Sequence, residues 1–300
     1  MDTGIRRMIS ATTVRGALTE AVWITAHLAL YPLGFLEEKA RAETHQLPTG
    51  FPSPNQETAP ATTSPDRAGT PILLVHGMVD NRSVFTVLRR ALRKHGFNRV
   101  RAMNYSVFTS DVRAAAAQLG RQIEALCADT GYERIHIVGH SMGGIVARYY
   151  VQRLGGADRV HTLVTLGSPH SGTQLARLAP LPLARQLRPN SEIMKELAEP
   201  APGCPTRFVA VWSDLDQLMV PTHSGRIDHQ DLIADNICVT GIGHMSLPVD
   251  RRVAQEVAAA LAYLDPEGHT VTAGVTSLDN HRRPTTGKPP EHRPEMAQEA

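Results

Sequence analysis

The chain has 300 residues, 42% of them hydrophobic and 20% charged, enough for the core of one large domain. A formal net charge of +2, with no Lys/Arg block interleaved with aromatics, argues against a nucleic-acid partner or an acidic-surface partner. Cys127, Cys204 and Cys238 are too few and too scattered for a disulfide framework, and no C-x-x-C spacing suggests a zinc site.

In chain order, the first feature is "AVWITAHLALYPLGFL", residues 21–36, which carries no Asp, Glu, Lys or Arg and follows Arg6, Arg7 and Arg15. As a helix it would reach roughly 24 Å, short of the ~30 Å hydrocarbon layer, and Pro32 and Gly34 would break it early. The Ala40–Ala42 triplet is separated from the run by "FLEEK", unlike a signal-peptide cleavage region. Residues 1–40 are therefore expected to form an apolar or amphipathic helical segment, with residues 21–36 docking on the domain or contacting a membrane surface. The compartment expected is cytoplasmic or membrane-associated, with secretion as the alternative. Residues 41–69, rich in Pro and Thr, read as an irregular linker.

A folded domain is expected over residues 70–265. The short β-type runs "PILLV", "RIHIV", "HTLVTL", "RFVAVW" and "NICVT" alternate with helical patterns. That alternation predicts an α/β fold with a mostly parallel central sheet flanked by helices. Val249, Val253, Val257, Leu261 and Leu264 recur at helical spacing and predict a final helix packed on the sheet. Cys127, in "RQIEALCAD", reads as a buried helical thiol. Cys204 and Cys238 are a candidate pair whose separation a sequence does not give. Residues 266–300 are polar and Pro-rich, with too little apolar surface to offset the entropy of ordering, and are expected to be a disordered tail.

"YERIHIVGHSMGGIVARYY" places Ser141 between a strand-like run and a helical one, with Gly139 and Gly143 two residues away on either side. A serine on such a strained strand-to-helix turn needs small neighbours so that strand and helix can approach. A glycine-rich turn alone explains the glycines but not the central serine, and the G-x-G-x-x-G spacing of a dinucleotide loop is absent. A serine hydroxyl becomes a nucleophile only with a base, oriented in turn by a carboxylate, and in this arrangement the chain order must be Ser, acid, His. "VTGIGHMSLP" supplies His244, and "RFVAVWSDLDQLMVP" supplies Asp216 as the acid, with Asp214 as the alternative. The oxyanion of the reaction needs fixed N–H donors. The backbone of Met142 is one; the second is the backbone of Met78, in the loop His76–Gly77–Met78 after the first strand.

Taken together, "VHGMVDN", "GHSMGG", "TLGSPHSGT", "SDLDQLMVP" and "GIGHMSLP" resemble the α/β-hydrolase lipase and esterase family, especially bacterial, actinobacterial triacylglycerol lipases. The resemblance runs from about Pro71 to Leu264. It implies Ser141 as nucleophile, Asp216 as acid, His244 as general base and Met78 and Met142 as oxyanion donors, supported by His76, Gly77, Gly139, His140 and Gly143. The implied substrate is a lipid or other acyl ester. Thioesterase, amidase or acyltransferase chemistry on the same triad is the alternative, and a non-catalytic, membrane-anchored binding protein is a further one. No cofactor or metal is required by this chemistry. The loop after "VHG" lacks the HGGG run of another esterase group. Residues 174–203, with Leu175, Leu178, Leu181, Leu183 and Leu187, stand where such folds insert a lid; a pair of ordinary core helices is the equal alternative. His170 is expected to shape the loop beside the site. "RIDHQDL", with Asp228, His229 and Asp231, reads as a solvated loop, since it has neither an EF-hand nor an H-E-x-x-H pattern.

Overall fold

The computed structural model describes residues 70–78, 80–103, 111–179 and 181–262. The expected N-terminal segment, the linker, the tail and Leu264 lie outside the described residues. Among the described residues six strands form one sheet: β1 (Ile72–Val75), β2 (Val100–Met103), β3 (Ile135–His140), β4 (Val160–Leu166), β5 (Arg207–Ser213) and β6 (Ile233–Val239). Their order is β2-β1-β3-β4-β5-β6, and each neighbouring pair is parallel. Each of the five β-type runs read from the sequence falls on a strand, with Pro71, Arg134 and Thr240 just outside the strand ends. The sixth strand, β2, was not among them: "VRAM" carries Arg101 and is buried only at its two ends, as an edge position allows.

Among the described residues six helices connect and cover the strands: α1 (Thr86–Lys94), α2 (Val112–Thr130), α3 (Met142–Arg153), α4 (Pro182–Gln186), α5 (Glu192–Ala198) and α6 (Arg251–Leu261). Alternate strand residues feed opposite cores, as the two-residue strand period requires. Leu73, Val75, Ile137, Leu163 and Phe208 pack with Leu119 and Ile123 of α2 and Ile145 and Val146 of α3. Ile72, Leu74, Val164 and Val209 pack on the other side with Leu88 and Leu92 of α1 and Val253 and Val257 of α6. Asp111 caps α2 by accepting the Arg113 N–H, and Asp250 caps α6 through the Arg252 N–H. Among the described residues no helix is long and apolar enough to cross a membrane.

The inserted region holds two short helices and a 3-10 turn (Gln174–Arg177). Leu183, Leu187, Ile193, Met194 and Leu197 join the core, whereas Leu178 is 80% exposed and Leu181 48%. Glu196 of α5 is bonded by Arg113 of α2 and accepts the Tyr149 hydroxyl of α3 at 2.6 Å. The inward half of the insertion is thus ordinary core, and its outward half presents leucine to solvent.

The chain leaves β1 towards β2, then returns past β1 to form β3. The carboxyl ends of β1 and β3 therefore flank a crevice where the strand order reverses, the place where open parallel sheets bind ligands.

Candidate active site

Ser141 stands at that crevice, between β3 and α3, with φ 54° and ψ −126°. A side-chain-bearing residue tolerates this only where its surroundings hold it. Its N–H donates to the Leu166 carbonyl at 2.9 Å, and its carbonyl accepts the Gly144 N–H at 3.1 Å. The glycines around it are demanded by close approach. A Cβ at Gly139 would lie 2.6 Å from the Gly144 backbone, and one at Gly143 would lie 2.2 Å from the Val75 carbonyl oxygen. Met142 is the first residue of α3, and the first-turn N–H groups of a helix have no intrahelical acceptor, so its N–H points into a zone of positive potential. The His76–Met78 loop abuts the serine: a Cβ at Gly77 would be 3.1 Å from Ser141 Cβ.

Asp216 and His244 meet after β5 and β6. The His244 Nδ1–H donates to Asp216 Oδ2 at 2.8 Å, and both side chains are buried. The other oxygen, Oδ1, accepts the N–H groups of Leu218 and Met219 at 2.9 and 3.2 Å. These bonds hold the carboxylate from below and orient it. Asp214, two residues earlier, turns to solvent and accepts the Gly241 N–H at 2.7 Å, tying the two loops together. Ser213 does the same from inside, its hydroxyl donating to the Ile242 carbonyl at 2.6 Å. Gly167, next to the residue that receives the Ser141 N–H, lies against the pair: a Cβ there would be 2.8 Å from Asp216 Oδ2 and 3.2 Å from His244 Nδ1. Nucleophile, acid and base candidates thus converge on the carboxyl ends of β3, β4, β5 and β6.

His140 is fully buried, with Nδ1 3.3 Å from Asp80 Oδ2 and Nε2 3.2 Å from the His244 carbonyl. His76 is buried and bonds the Gly77 carbonyl at 2.9 Å through Nδ1. His170 is held by Arg148, whose guanidinium reaches its Nδ1 at 3.5 Å and its carbonyl at 3.2 Å. Nε2 therefore carries the proton and donates to Thr165 Oγ1 at 2.9 Å. Burial, and next the charge of Arg148, hold the His170 imidazole far below its ordinary value, so it stays neutral. His229 accepts the Asp231 N–H on Nδ1 and donates from Nε2 to the Glu199 carbonyl, while Asp231 accepts the Ala201 N–H. Among the described residues no three or more ligating side chains gather as a metal site. Cys127, Cys204 and Cys238 are free thiols, and Cys127 is buried as expected for its helix.

Sequence reasoning did not single out Asp80, Gly144 or Gly167. Each lay inside a quoted motif, but an Asp after a strand and a Gly at a strand end are ordinary loop residues, and only their neighbours in space give them meaning.

A family model described as palmitoyl protein thioesterase matches residues 71–201. A triacylglycerol lipase of Pseudarthrobacter phenanthrenivorans is 30% identical over 114 residues, 35% of this chain and 35% of that protein. The chain spans about a third of the length of the curated relatives it matches. Aspergillus fumigatus lipase B superposes with a TM-score of 0.58 at 15% identity, covering 74% of this chain and 59% of that one. The mature Bacillus licheniformis lipase BlEst2 superposes with a TM-score of 0.53 at 17% identity, covering 66% and 94%. The chain has the α/β-hydrolase fold.

Proposed function

We propose that this α/β-hydrolase is a serine hydrolase that cleaves carboxylic esters of lipids through an acyl-enzyme on Ser141. The observation that carries the reading is the serine on its strained strand-to-helix turn beside a buried Asp216–His244 hydrogen bond. His244 takes the Ser141 proton as the hydroxyl attacks the ester carbonyl, and the oxyanion is met by the N–H groups of Met78 and Met142. His244 then passes the proton to the leaving alcohol, and water releases the acyl group by the reverse sequence. Asp216 keeps the Nδ1–H tautomer and stabilises the imidazolium that forms in each half.

Lipid esters are supported by the lipase relatives and by an apolar rim. Thr173 accepts the Val220 N–H at 3.0 Å and donates to the Leu218 carbonyl at 2.8 Å, bringing the start of the insertion beside the loop that carries the acid. Leu178, Leu181, Leu218 and Val220 are exposed on these two segments. A second reading, thioester hydrolysis, is favoured by the palmitoyl protein thioesterase match.

Reaction of the pure folded protein with a fluorophosphonate probe tests the nucleophile. Labelling that disappears in Ser141→Ala is expected; labelling that persists there refutes the assignment. Turnover of matched acyl esters and thioesters then separates the two readings, and a thioester preference of several orders of magnitude rejects the ester reading.

A further inference from the structure

Three loops must hold a common register for the proposed chemistry: the one after β1 that carries Met78, the turn that carries Ser141, and the one that carries His244. A single imidazole lies where all three meet. His140 immediately precedes Ser141; its Nδ1 faces Asp80 of the first loop at 3.3 Å, and its Nε2 faces the backbone carbonyl of His244 at 3.2 Å. Its ring also lies against that of His244, with centroids 4.8 Å apart and planes tilted by 39°. His140, Asp80 and His244 are all at most 5% exposed, so water does not supply these bonds in their place.

The chemistry of the contacts sets the direction of each bond. A carbonyl oxygen only accepts, so His140 Nε2 carries a hydrogen and donates to His244. The second ring nitrogen faces the Asp80 carboxylate, which gives the ring a partner of fixed position. His244 itself opens a 3-10 turn (His244–Ser246) just after Gly241 and Gly243, and Gly241 has φ 72°. Asp214 and Ser213 anchor that stretch at Gly241 and Ile242, just ahead of His244. Asp216 holds one point of the residue, its ring nitrogen; the bond from His140 helps to hold a second, its carbonyl, which also accepts the Leu247 N–H at 3.3 Å.

We infer that Asp80 and His140 are positioning residues for the base, a buried relay that fixes the backbone of His244 and hence the aim of its imidazole at Ser141. The inference rests on the reading of Ser141 and His244 given above. Neither residue touches substrate; each acts through His244. Leu or Phe at position 140 would fill the same space and leave the His244 carbonyl and the Asp80 carboxylate without this bond.

Two amide replacements separate this role from a general one in packing. The side-chain nitrogen of glutamine reaches about where Nε2 of histidine lies, and that of asparagine about where Nδ1 lies. His140→Gln therefore keeps the donor to His244, and His140→Asn keeps only the bond to Asp80. The full chain is assayed for kcat and KM on a soluble ester and, by NMR, for solvent exchange of the low-field His244 Nδ1–H proton. His140→Asn is expected to lower kcat about 10–100-fold with KM within about twofold, and to speed the exchange about tenfold; His140→Gln stays within about fivefold of the parent. Asp80→Leu follows the asparagine variant and Asp80→Asn, which keeps an acceptor, follows the glutamine one. This second pair carries the test if His140→Asn does not fold. The inference is overturned if both members of each pair fall alike, if KM moves in place of kcat, or if the exchange rate is unchanged in His140→Asn. The proton readout does not depend on Ser141 being the nucleophile, so retained turnover in Ser141→Ala would sink the functional reading while the exchange comparison still decides the positioning role.

Discussion

Gly167→Ala adds one methyl group directly beneath the proposed acid and base. Gly167 follows β4 with φ 54°, and its N–H donates to the Val211 carbonyl at 2.9 Å, so the backbone there is held on the β5 side. The new Cβ would lie 2.6 Å from Leu247 Cδ1, 2.8 Å from Asp216 Oδ2 and 3.2 Å from His244 Nδ1. An unstrained contact needs about 3.5 Å, so the carboxylate must retreat by roughly half an ångström or more. Placing a side chain at this φ costs about 1–2 kcal/mol, and crowding a packed site costs about 1–3 kcal/mol. The total, roughly 2–5 kcal/mol, lies at or below the low end of the 5–15 kcal/mol stability usual for a domain, so a folded but weakened protein is expected. A displacement of about 1 Å in a reacting constellation costs on the order of 10²-fold, which puts the loss in kcat at about 10–100-fold with little change in KM. Hydrolysis of p-nitrophenyl butyrate gives kcat and KM, and urea unfolding gives the stability. A variant with kcat within twofold of the parent and stability within about 0.5 kcal/mol would refute the reasoning.

Asp216→Asn should lower kcat by about 10⁴-fold, as loss of the orienting carboxylate does in a serine triad, whereas Asp214→Asn, at the exposed Gly241 tie, should stay within about threefold. Equal losses would reverse the assignment. Acid stability is set partly by buried imidazoles: burial, then His161 and Arg134, lower His136 to about 3. The unfolded chain takes up that proton near pH 6.5, so the stability present above pH 6.5 is lost progressively as pH falls towards 3, roughly 2–3 kcal/mol at pH 4.5. His136→Leu should flatten the fall in urea midpoint between pH 7 and 4.5, and an unchanged slope would count against this origin. Leu178→Asp combined with Leu181→Asp should lower turnover of emulsified or micellar ester several-fold while sparing a monomeric one; equal effects on both would remove the lipid-facing role of the rim.

Much of this protein was legible from its residues in order. Gly139, Ser141 and Gly143 announced a strained turn because the steric demand is local: the residues that must be small sit two positions from the one that is strained. The four inner strands β1, β3, β4 and β5 were legible as apolar runs because both of their faces are buried, whereas β6, the far edge strand, was legible from "NICVT" although most of it is only partly buried or exposed. Strand β2 was not, because an edge strand with Arg101 needs no such run. The insertion was ambiguous for a related reason: Leu178 and Leu183 are the same residue type, and only packing makes one 80% exposed and the other 4%.

The order Ser141, Asp216, His244 and the residue types that a triad needs were written in the chain. Which of two aspartates two positions apart meets the histidine was not, since both follow the same strand and differ only in the direction the loop turns. Asp80 and Gly167 likewise have no local signature. His140 reaches Asp80 across 60 positions and His244 across 104. A backbone conformation is a demand made by near neighbours and can be read from them; a hydrogen bond between distant loops exists only once the sheet has brought their strand ends together.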